Sequence, residues 1–145
     1  KDPAEFERQW STRSVATSWV AEYEPNYQGS PIVADAADGP PSARGSHDFA
    51  ARPGHHLAPA QLADGSLVQD RLGCGFTLLS IGAEADRVEA FVRAAPMPLS
   101  VIADPGGAQA DRYGARLILV RPDHYVAWAG HEGDAAAVLH RTAGL

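Results

Sequence analysis

Cys74 is the strongest nucleophile the chain offers, and it is the single cysteine among 145 residues. Thiol-disulfide chemistry needs a second sulfur nearby and a thiol whose pKa is lowered, as at a helix start. A lone thiol therefore predicts a structural cysteine. The same count excludes an internal disulfide and the usual Cys/His zinc sites. His55 and His56 are adjacent, with His47 upstream. Neighbours in an extended segment point to opposite sides, so solvated or domain-contacting histidines are expected there instead of a metal site. His124, His131 and His140 lack a clustered acidic or cysteine neighbour in sequence and read as surface residues. Arg116 and Arg121 flank an apolar run and are expected to form structural ion pairs with Asp104, Asp111 or Asp123. Gly73-Cys74-Gly75 is the nearest approach to a phosphate loop, but it precedes a strand and lacks the third glycine, so it puts no helix N-terminus on a pyrophosphate. No Ser/His/Asp spacing or paired carboxylate stands out, and no catalytic, cofactor-binding or metal-binding residue is assigned.

Aromatic side chains carry the other signal. Trp10, Trp19 and Tyr23 are spaced to share a stripe on a helix, with Phe6, Val15 and Val20 near them. Such large side chains are costly to leave wet, so Trp10, Trp19 and Tyr23 are expected to form an interface, with Trp128 as a further contact on an edge hairpin. The surface that covers them would be the chain's own core, a second copy in a homodimer, or another domain.

The elements that must position these groups follow from punctuation and periodicity. Pro3 to Glu24 reads as a helix with Asp2 as N-cap and Pro3 in the first turn. From Pro25 to Pro59 the sequence is turn chemistry, including Gly29, Pro31, Gly39, Pro40, Pro41, Gly45, Pro53 and Gly54. A structureless connection that long is uncommon inside one compact domain. Residues 1–33 are therefore expected to belong to a different unit from residues 54–145, with a linker over 34–53. Beyond it, Leu57 to Val68 suggests an edge hairpin around Asp64-Gly65, followed by a helical turn over Gln69 to Leu72. Phe76 to Ile81 and Leu99 to Ala103 are buried strands, separated by an amphipathic helix over Glu84 to Ala95 with Val88, Phe91 and Val92 inward. Ala108 to Tyr113 is a short helix closed by Gly114. Leu117 to Val120 and Tyr125 to Trp128 make a hairpin through Pro122-Asp123, and Asp134 to Thr142 is the last helix. The order β-α-β-α-β-β-α is the thioredoxin-like α/β plan, here without a CxxC.

Composition is that of one soluble domain: 45% apolar and 21% charged residues suffice for a core. Lys+Arg 12 against Asp+Glu 18 gives a net charge of -6, with the basic residues scattered, which argues against nucleic acid as partner. No stretch approaches the roughly 20 apolar residues that cross a bilayer, and no membrane partner is expected. All the basic residues but Lys1 are arginine, a bias typical of a GC-rich bacterial genome, and the cysteine usage suits a reducing cytoplasm.

Longer stretches carry a resemblance. Asp70-Arg71-Leu72-Gly73-Cys74-Gly75-Phe76-Thr77-Leu78-Leu79 and Tyr113-Gly114-Ala115-Arg116-Leu117-Ile118-Leu119-Val120-Arg121-Pro122-Asp123-His124-Tyr125-Val126-Ala127-Trp128 resemble the C-terminal thioredoxin-like domain of FAD-dependent aromatic-ring hydroxylases of the phenol hydroxylase and 3-(3-hydroxyphenyl)propionate hydroxylase type. Pro53-Gly54-His55-His56-Leu57-Ala58-Pro59 resembles the Pro-Gly-x-Arg-x-Pro opening of that domain, with His56 in place of arginine. Redox thioredoxins carry a proline before the third strand, where this chain has Gly114-Ala115-Arg116. The resemblance implies the C-terminal fragment of an aromatic monooxygenase whose full-length parent uses FAD and NAD(P)H. Residues 1–33 would then be the final helix and exit segment of a preceding substrate domain, and the partners would be the upstream FAD and substrate domains. The domain itself would be structural or oligomerising, inactive alone and without a cofactor of its own. The alternatives are a free-standing thioredoxin-like module that binds a protein partner and a one-cysteine redox enzyme.

Overall fold

A computed structural model describes residues 22–35 and 39–145, together with Pro3, Glu5, Glu7 and Arg8, which are helical. Trp10, Trp19 and the rest of the expected N-terminal helix up to position 21 lie outside the described residues. At its far end the expectation is corrected. Tyr23–Asn26 forms a strand, β1, because a residue before proline is pushed out of the α region and Glu24 precedes Pro25. β1 pairs antiparallel with β2, Ser42–Arg44, inside the stretch expected to be a plain linker.

The centre of the molecule is a four-stranded sheet ordered β4-β3-β5-β6, built from β3 (Phe76–Ile81), β4 (Leu99–Asp104), β5 (Leu117–Val120) and β6 (Val126–Gly130). β3 and β4 are parallel, with Phe76 opposite Leu99 and Ile81 opposite Asp104. β5 runs antiparallel to β3 and β6 antiparallel to β5. The helices beyond residue 39 are α1 (Val68–Arg71), α2 (Ala85–Ala94), α3 (Ala110–Tyr113) and α4 (Ala135–Ala143). This is the β-α-β-α-β-β-α order of a thioredoxin-like domain.

Strand alternation divides the core in two. Leu79, Ile81, Ile118 and Val120 face one side, where they meet Leu57, Leu62, Val68 and Tyr113. Leu78, Leu117 and Leu119 face the other, where they meet Phe91 of α2 and Val138 and Leu139 of α4. With both faces covered, β5 reads as a continuous apolar run and β3 as one interrupted only by the small, buried Thr77 and Ser80. Each such side chain, fully buried, contributes about 1.5–3 kcal/mol. Val92, expected inward on α2, is half exposed instead, and Phe91 is the residue of that helix that is buried. The expected 57–68 hairpin reduces to one bridge, Gln61 to Leu67, closed by a turn in which Asp64 accepts from the Ser66 N–H.

Caps set the helix ends. Asp134 accepts from the Ala136 and Ala137 amides at 3.0 and 3.1 Å, and Gly144 takes the left-handed conformation that ends α4. Gly114, at φ 69°, ends α3 in the same way and turns the chain into β5.

Candidate functional site

The outer edge of β6 is where the separately read parts of the sequence meet. His56 bridges antiparallel to Tyr125, Gly54 N–H donates to the Val126 carbonyl, and Leu57 N–H donates to the His124 carbonyl. The Tyr27 N–H then donates to the Gly54 carbonyl at 2.7 Å, and the Ala34 N–H to the Ala127 carbonyl at 2.9 Å. The stretch that leaves β1 therefore runs alongside the sheet and is bonded to it. Val33 and Ala34 are buried there.

Two side-chain contacts lock this arrangement. Glu24 Oε1 lies 2.7 Å from Arg52 Nη2 and 3.1 Å from His55 Nδ1, while Oε2 accepts the His47 N–H at 2.9 Å. Burial pushes the Glu24 carboxyl upward, but the His47 amide, the His55 ring and the Arg52 guanidinium outweigh it and hold its pKa below the ordinary 4.5. His55 is 3% exposed. The second contact joins Trp128 Nε1 to Asp35 Oδ2 at 2.9 Å, with the Trp128 ring 5.3 Å from that of Phe91. Trp128 is 2% exposed, and the surface that covers it here is the chain's own core. It is a core residue, and its polar end is capped by the incoming chain. Tyr23, by contrast, is 62% exposed.

The remaining candidates fall in separate places. His47 and His55 converge on Glu24, one by its backbone and one by its ring, whereas His56 turns outward with Nδ1 3.1 Å from the Leu57 carbonyl. The Arg121 guanidinium grips Asp123 with two bonds at 3.1 and 2.9 Å, as the ion-pair expectation has it. Arg116 does not reach Asp104. Its Nη1 donates to the Gly82 carbonyl, and Asp104 accepts the Ala63 N–H instead. Cys74 is exposed, in the turn between α1 and β3. Gly73-Cys74-Gly75 lies between the C-terminal end of α1 and the start of β3, so no helix N-terminus faces it and it does not fit a flavin pyrophosphate. Glu24 and Asp35 are the members that sequence reasoning missed. Their partners lie 23 to 93 residues away, and no local pattern marks them.

These features define a thioredoxin-like domain with a clasp that binds the incoming chain to its β6 edge. The chain belongs to the aromatic-ring hydroxylase C-terminal family, whose profile matches residues 50–144. It is 32% identical over 125 residues to the FAD-dependent monooxygenase opdD of Penicillium oxalicum, a match that covers 77% of this chain and 24% of that protein. Among solved structures it resembles the substrate-free rebeccamycin biosynthetic enzyme RebC, with a TM-score of 0.67 and 27% identity over 97% of this chain and 26% of RebC. It also resembles aklavinone-11 hydroxylase bound to FAD and aklavinone, with a TM-score of 0.62 and 29% identity over 78% of this chain and 25% of that enzyme. The chain thus spans about a quarter of the length of these relatives.

Proposed function

We propose that this chain is the C-terminal part of an FAD-dependent aromatic monooxygenase and that its thioredoxin-like domain is architectural. In this reading the parent polypeptide takes FAD, NAD(P)H, dioxygen and a phenolic substrate in the cytoplasm, and the groups that hold flavin and substrate lie upstream. Residues 1–33 end the preceding substrate domain, 34–53 form the connection, and 54–145 form the domain that braces it.

The observation that carries the reading is the clasp. Glu24 on Arg52 and His55, and Asp35 on Trp128, attach the incoming chain to the domain by side chains that are part of its own packing. A domain fixed in this way transmits position instead of moving freely on a tether. The activities of these relatives, FAD-dependent monooxygenase and aklavinone-11 hydroxylase, support the parent's chemistry.

The test compares the chain with the longer polypeptide that contains it. The chain alone is expected to be colourless and not to oxidise NAD(P)H with phenols, and the longer polypeptide to be yellow and to do both. A flavin band that copurifies with the 145-residue chain would overturn the reading.

A further inference from the structure

Beside the clasp lies an aromatic face that is partly exposed among the described residues. The Tyr27 and Tyr125 rings meet at 4.7 Å, inclined by 59°, and His56 stands edge-on to Tyr125 at 5.4 Å. Arg121 lies 5.7 Å over the Tyr27 ring while its guanidinium is held by Asp123. Tyr23 and Tyr27 are 62% and 42% exposed, and His56 is exposed. The backbone beneath is fixed by the His56–Tyr125 bridge and by the Tyr27-to-Gly54 hydrogen bond. The rings are therefore already arranged before anything binds, which lowers the ordering cost of an interface. Tyrosine and arginine in a cluster are also the composition of interface hot spots.

We propose that the face made by Tyr23, Tyr27, His56 and Tyr125 seats the upstream body of the same polypeptide. The proposal rests on the monooxygenase reading above. Two observations choose this occupant over a second copy or a foreign protein. The family is defined by its C-terminal position, and the relatives are about four times as long as the chain, so most of such a protein precedes this domain. Tyr23, the first residue of β1, is itself part of the face, so the polypeptide that precedes it departs from the face's own margin. A body tethered there meets these rings intramolecularly, at an effective concentration that a free partner would rarely match.

The test is side-chain labelling of the longer polypeptide and of the 145-residue chain, with tetranitromethane for tyrosines and diethylpyrocarbonate for histidines. Tyr113, buried and bonded to the Ala58 carbonyl, serves as the unlabelled control in both. In the chain Tyr23, Tyr27, Tyr125 and His56 are expected to label, and in a flavin-loaded longer polypeptide that sediments as a monomer the labelling is lost. A flavin-loaded polypeptide whose four residues still label overturns this inference and leaves the monooxygenase reading standing. Protection that disappears on dilution, or that the chain shows by itself, assigns the face to a second copy and overturns it as well. A longer polypeptide without flavin overturns both.

Discussion

Glu24 and His55 stand 31 positions apart in sequence, and the carboxylate Oε1 of one lies 3.1 Å from the ring Nδ1 of the other. The pair joins the incoming strand to the segment that lines β6, and Arg52 completes it. Removing the carboxylate leaves a buried imidazole without its hydrogen-bond partner and a half-buried guanidinium without its counter-charge. Glu24→Ala is therefore expected to cost about 1–3 kcal/mol. Urea unfolding should show a lower midpoint with an unchanged slope. An unchanged midpoint would mean that the clasp is ornamental.

The same carboxylate predicts an acid response. Its folded pKa lies below the ordinary 4.5, so the unfolded chain binds the proton more readily. Its stabilising contribution is then complete above about pH 4.5 and is lost as pH falls through the lower folded value. Urea midpoints followed through the acid range should fall less steeply in Glu24→Gln than in the parent. Parallel curves would refute the link.

Tyr113 makes the opposite prediction at high pH. Burial raises its phenol to about 12 against an ordinary 10, only partly opposed by Arg112, and its hydroxyl donates to the Ala58 carbonyl at 2.7 Å. The neutral form is favoured in the fold, so its contribution is complete below about pH 10 and is lost as pH rises through about 12. Tyr113→Phe should lose about 0.5–1.5 kcal/mol near neutral pH. A spectrophotometric titration should show one tyrosine fewer in the late-ionising class.

Trp128 is gripped by two glycines. A Cβ added at Gly130 would come 2.7 Å from Trp128 Cζ2, and one added at Gly133 would come 2.6 Å from it. Carbon atoms rest at about 3.5–4.0 Å, so Gly130→Ala or Gly133→Ala forces the ring to shift and should cost about 1–3 kcal/mol. Combining Gly133→Ala with Trp128→Phe, whose ring is smaller, should cost less than the sum of the two single changes. Strict additivity would place the strain elsewhere.

Cys74→Ser is expected to change stability by less than about 0.5 kcal/mol, the usual range for surface positions away from special features. Disulfide-reductase activity that disappears in this variant would show that the thiol does work by itself.

The sheet was legible because its signals are local. Leu117 to Val120 is an unbroken apolar run and Phe76 to Ile81 is apolar but for Thr77 and Ser80, and a strand covered on both faces needs little else to announce it. The clasp was not legible. β1 contains Pro25 and β2 is three exposed residues, so neither has a hydrophobic pattern, and their pairing is held by contacts across the intervening loop. Trp128 was open for a related reason. Its residue type permits either core or interface, and the choice is made by Asp35, which sits 93 positions earlier at φ 57° where few residues would place a side chain. The aromatic face needed three segments brought together, around residues 23–27, 56 and 121–125, and spacing within any one of them says nothing of the others.

The two outer edges of the sheet have different fates when many copies share a small volume. The β6 edge is occupied by the chain itself, which bonds the backbone of Val126 and Ala127. The β4 edge extends over Leu99 to Asp104, with Pro98 immediately before it and Pro105 immediately after. Proline has no N–H to offer, so a strand from another molecule laid along β4 finds a short stretch of ladder and no means of extending it in either direction. Polymerisation by edge-to-edge strand addition is thus hindered on one side by the molecule's own incoming segment and cut short on the other by two rings.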